Sequence, residues 1–163
     1  MKTKDFERTY QLVLVIDAIL KSFVRIQNAF FEIRWWKLSF VGRSLRKLEI
    51  AWYKKKLSQY ADDVSLVISE LNCILNETTS GTSSHEYLKL YVQCCQHLLE
   101  TILTLFLITH KTIHTIGKGD PYHNESEYRK DIKIFIKCRD EYLFTGEKLQ
   151  PLFERFSLEV ARG

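Results

Sequence analysis

"IAWYKKKLSQYADDVSLVISELNCIL", residues 50–75, places apolar side chains at Ile50, Tyr53, Leu57, Tyr60, Val64, Ile68, Leu71 and Leu75. The steps between them are three and four residues, so they form one stripe along an α-helix. No Gly or Pro interrupts the run. The helix extends back to a stop at Gly42, with Ser44 as its cap, and forward to Asn76.

Beyond it lies "NETTSGTSS" (76–84), the clearest loop in the chain. Ser83 and Glu86, three residues apart, predict a capping box for a third helix ending at Gly117. That helix is apolar on most sides between Leu98 and Ile108 and is expected to be the most buried. Glu100 stands alone within it, and the sequence offers no reason for it. The turn "GKGDPYHN" (117–124) follows, and Asn124 with Glu127 predicts a second box. The fourth segment carries Tyr128, Ile132, Phe135, Tyr142, Leu149, Phe153, Phe156 and Val160. Pro151 should kink it, and Gly146 on its stripe should let a neighbour approach. Before Gly42, the stripe Phe6, Tyr10, Val13, Ile16, Leu20, Phe23, Phe30 and Ile33 defines the first helix.

The four segments, about 5–39, 44–76, 84–116 and 124–161, are each roughly 50–55 Å long at ~1.5 Å per residue. Short connections make consecutive helices antiparallel neighbours. The expected fold is therefore all-α, an up-down-up-down antiparallel four-helix bundle in a single domain spanning residues 1–163. Composition agrees: only 6 Gly and 2 Pro in 163 residues leave few turns for an all-β fold. A chain 45% hydrophobic and 27% charged is globular rather than disordered.

Cys73, Cys94, Cys95 and Cys138 have neither C-x-x-C nor zinc-finger spacing. They read as reduced core thiols of a cytoplasmic protein, since no secretory leader is recognisable. The apolar runs at 12–20 and 102–108 are too short for a membrane span, which needs roughly 20 residues. No transmembrane segment is expected.

Charge is unevenly placed. Residues 25–56 hold nine basic residues against Glu32 and Glu49, a net of +7 in a chain of net +4. Antiparallel topology brings the first hairpin tip beside the 117–124 turn, so one pole should be basic and rich in Trp and His. Arg43, Lys47 and Lys54, spaced by four and seven, share a helical face, with Arg46 beside them. Such cations neutralise phosphates, and exposed Trp rings stack on bases.

Most other chemistry is absent. There is no phosphate loop, dinucleotide fingerprint, nucleophile elbow or H-E-x-x-H. No Glu-x-x-His of the di-iron bundles occurs. His110 and His114 sit at i, i+4 and form a weak candidate metal pair, with His123 and Asp120 nearby; zinc needs three or four ligands. No cofactor is expected. Asp17 in its apolar run pairs most simply with Lys21, one turn on.

The expected function is that of a non-enzymatic accessory or binding bundle. Its basic, Trp-rich end contacts the backbone of RNA or DNA within a larger assembly. The residues expected to do so are Arg34, Lys37, Arg43, Arg46, Lys47, Lys54 and Lys55, with Trp36 and Trp52. The alternative is a protein-interaction or homo-oligomerising bundle whose basic end is merely solvated. A third reading is a bundle that binds a membrane surface through Trp and Lys.

Overall fold

Helical periodicity carries through to the three-dimensional fold. The computed structural model describes residues 3–33, 40–118 and 124–162. It contains α1 (Thr3–Glu32), α2 (Phe40–Glu77), α3 (Ser83–Lys118), α4 (Glu125–Glu147) and α5 (Leu149–Arg162). The helices form an all-α antiparallel bundle, in which α4 and α5 together make the fourth rod. Ring contacts pin both ends. Phe31 of α1 meets Phe135 of α4 at 5.3 Å between centroids, while Phe6 meets Phe156 of α5 at 5.3 Å. The end of α1 therefore lies beside the start of α4, at the same pole as the start of α2 and the end of α3.

α3 is the central rod and packs on α2, α4 and α5. Leu88, Leu98, Ile102, Leu105 and Ile108 are completely enclosed. Its buried Thr101, Thr109 and Thr112 hydroxyls donate to the carbonyls of His97, Phe106 and Ile108, so none is left unsatisfied. α3 is the one helix among the described residues long and apolar enough to cross a membrane by length and composition alone, and no clear transmembrane segment is present among them. Half of its most apolar window is buried inside the bundle, as in the core helix of a helical bundle.

Several helix ends depart from the sequence reading. α1 ends at Glu32, with the Ile33 amide on the Phe30 carbonyl at 3.1 Å, and the rest of the expected first segment, 34–39, lies outside the described residues. Gly42 and Ser44 lie inside α2, so neither stops nor caps a helix: one glycine near a terminus costs less than the hydrogen bonds gained by starting at Phe40. The cap of α3 is Thr82 rather than Ser83. The Thr82 hydroxyl accepts from the His85 amide at 3.2 Å and its carbonyl from the Glu86 amide at 3.0 Å. Gly81 just before it has φ of 83°, the left-handed backbone that glycine permits. Asn124 caps α4 as expected, its Oδ1 accepting from the Glu127 amide at 3.0 Å.

Pro151 produces a break rather than a smooth bend. Its ring crowds the carbonyl four residues back, at Glu147, where α4 stops. Lys148 keeps helical angles (φ −74°, ψ −18°) and α5 resumes at once. Gly146 does not mark a tight crossing: a Cβ there would meet Cys94 Sγ at 4.0 Å, ordinary van der Waals contact. The stripe of α1 runs one residue off the expected one at its start. Thr9 and Leu12 are buried and Tyr10 is half exposed. Asp17 and Lys21 form the expected solvent-facing pair at 2.6 Å.

Candidate polyanion interface at the basic pole

α2 buries Ile50, Tyr53 and Leu57, which turns the intervening residues of its first half outward. Two flanks result, one toward α3 and one toward α1.

On the α3 flank, Lys54 is half-buried, and its Nζ lies 2.9 Å from His110 Nδ1 and 5.6 Å from the Phe106 ring centroid. Phe106, His110 and His114 recur every four residues on α3 and form a ladder. The first two rings are parallel at 6.5 Å, and the two imidazoles meet edge to face at 4.7 Å. Burial, then the Lys54 ammonium and His114, push the His110 pKa below its ordinary 6.5. His110 is thus neutral at pH 7 and accepts from Lys54. A groove of about 710 Å³ opens here, lined by Ala51, Lys54, Lys55, Ser58, Gln59 and Phe106, with Asp62 as its one acid.

On the α1 flank, Trp52 is 52% exposed and packs edge to face on Tyr53 at 5.5 Å. It borders a smaller pocket of about 300 Å³ with Arg25 and Tyr60. Leu45 and Leu48, 66% and 72% exposed, continue the Trp52 stripe. Sequence reasoning missed these leucines; their i, i+3, i+7 spacing with Trp52, set off from the Ile50 stripe, was the available signal.

The expected cations divide into groups. Lys47 and Lys55 are exposed and make no ion pair among the described residues. Arg46 is engaged by Glu49, which also accepts from the Tyr53 hydroxyl at 2.5 Å. Burial raises the Glu49 pKa, but the bonds from Tyr53 and Arg46 outweigh it and the net shift is downward. Burial and the same carboxylate push Tyr53 up to about 12. Arg43 lies in α2, but its side chain is outside the described part, as are Arg34, Trp36 and Lys37 altogether. Across the pole, Lys111 pairs with Asp131 at 2.7 Å and Arg129 with Glu125 at 2.6 Å. Lys130 and Lys133 of α4 are exposed and also make no ion pair among the described residues, so the unpaired lysines of the pole lie on both α2 and α4, with the larger group on α2.

His110 and His114 are ill placed as a metal pair, because Lys54 occupies His110 Nδ1. His123 and Asp120 lie outside the described residues. The thiols also differ from expectation: Cys94 and Cys95 are buried, but Cys73 is exposed. Burial pushes Cys94 up to about 11 and Cys95 up to about 12, so both are protonated and inert at neutral pH.

No family model, characterised protein or solved structure matches the chain. Function therefore rests on the side chains themselves.

Proposed function

We propose that this bundle is a non-catalytic, cytoplasmic accessory subunit that holds a nucleic-acid backbone along the first half of α2. The observation that carries the reading is the groove between α2 and α3, where Lys54 and Lys55 rise above an aromatic ladder with Lys47 exposed about two turns away. Lysines on a rigid helix meet phosphates as point charges and release counterions. The half-exposed Trp52 ring offers a stacking surface for an unpaired base. Neither feature reads base edges, so binding is sequence-independent.

The test is fluorescence anisotropy with labelled single-stranded RNA and DNA, on protein whose 260/280 nm absorbance ratio has been followed through nuclease treatment. Binding should be lost by at least tenfold in the Lys47→Glu, Lys54→Glu, Lys55→Glu variant with helicity unchanged. Equal affinity of variant and parent would overturn the reading.

A second reading is favoured by Leu45 and Leu48. Two exposed leucines in line with Trp52 suit a protein partner or a second copy of the chain better than phosphate. Under that reading light scattering gives a defined oligomer that nuclease leaves intact, and Leu48→Lys dissociates it.

A further inference from the structure

A separate cluster lies at mid-height on the opposite side of α3, where it faces α4. His97 and Glu100 are three residues apart and so share one face of α3. Glu141 approaches them from α4. One ring nitrogen of His97 and one carboxylate oxygen from each glutamate all lie within 4.8 Å of one another. It is the only such group of three potential ligands among the described residues.

His97 supplies an independent observation. Its Nδ1 is buried without a hydrogen bond, although Glu100 Oε2 is 3.5 Å away. His85 Nδ1 is also buried and unbonded, but belongs to no such group of carboxylates. Burying an unsatisfied polar atom is costly, and so is placing two carboxylates together. Lys137 relieves little of this: its Nζ is 3.9 Å from Glu141 Oε1 and is mostly exposed. A cation among the three residues would satisfy all of them. It would also explain the isolated Glu100 in the most apolar stretch of the chain.

We infer that His97, Glu100 and Glu141 form a binding site for a divalent first-row transition-metal ion that fastens α3 to α4. The imidazole selects zinc, manganese or iron over magnesium and calcium, which prefer all-oxygen sites. Bonds of about 2.0–2.2 Å from metal to nitrogen and oxygen need donor atoms roughly 3–4 Å apart. Rotamer adjustments of under about 1 Å close the cluster to that size. Glu100 and Glu141 are 58% and 43% exposed, so solvent reaches the site and water completes the coordination. The pattern is the reverse of the Glu-x-x-His sought in the sequence, and its third ligand comes from another helix. It is independent of the groove between α2 and α3.

The experiment is calorimetric titration of zinc sulfate into chelator-treated full-length protein, with cobalt chloride as a spectroscopic probe. The expected result is one zinc per chain, visible cobalt absorption, and no competition from millimolar magnesium. At ~100-fold excess over Kd, zinc should raise Tm by roughly 5–10 °C. Glu141→Gln, at a partly exposed position that tolerates the change, should weaken binding at least tenfold, and His97→Gln should do the same. Absence of zinc binding would overturn the assignment. So would binding that survives Glu141→Gln but is lost in His110→Gln, which would place the ion on the other histidine pair.

Discussion

His110 shows how one contact sets a titration. It accepts from Lys54 at 2.9 Å only while neutral, and burial with the neighbouring ammonium keeps its folded pKa below 6.5. The unfolded chain therefore takes up this proton first as pH falls. Stability contributed by the contact is present above pH 6.5 and is lost as pH falls through the lower folded value. An anion in the groove has the opposite preference, because it stabilises the imidazolium. Affinity for a polyanion should rise about fivefold as pH falls through that lower folded value, equivalent to roughly 1 kcal/mol for a charge pair at 4 Å in water. His110→Gln keeps an acceptor for Lys54 but should remove that rise. Anisotropy titrations over a descending pH series measure both effects, and a rise that persists in the variant would assign it elsewhere.

At the scale of the element, the α3 terminus separates what sequence specifies from what packing decides. Ser83 and Thr82 are both able to cap; the backbone chooses Thr82 because Gly81 supplies the left-handed turn just before it. Thr82→Ala should cost about 1 kcal/mol and lower Tm by roughly 2–4 °C, whereas Ser83→Ala should change stability by less than about 0.5 kcal/mol. Gly146→Ala should stabilise by about 0.5–1 kcal/mol, because the new methyl fits against Cys94 and helix propensity improves. Thermal melts of the three variants check these expectations together.

The same elements show what was legible. The α2 stripe needed only its own periodicity, and Ile50, Tyr53, Leu57, Val64 and Leu71 are all buried. The break at Pro151 and the Asn124 cap also follow from local chemistry. Gly42 misled because a weak local penalty was outweighed by helix continuation. Tyr10 misled because a stripe drawn in steps of three or four tolerates a one-residue rotation at its end. The Lys54–His110 contact spans 56 residues, and Glu141 reaches His97 and Glu100 from another helix. No local pattern specifies such pairings; only assembly of the helices does.

Across the whole molecule, the antiparallel bundle collects charge at one end. The end of α1 lies beside α4, as the Phe31–Phe135 ring contact requires, so the described residues that flank the two connections share one pole. On α3 and α4, Lys111 and Arg129 are paired with Asp131 and Glu125, which makes the pole less uniformly basic than the sequence suggests, while Lys130 and Lys133 make no ion pair among the described residues. The largest group of lysines there is on α2, flanked by a groove on one side and exposed Leu and Trp on the other. The most direct measurement of its role is the salt dependence of single-stranded RNA binding. If Lys47, Lys54 and Lys55 each neutralise one phosphate, log K against log salt should have a slope near −2, about a fifteenfold loss between 50 and 200 mM. A slope indistinguishable from zero would contradict the account.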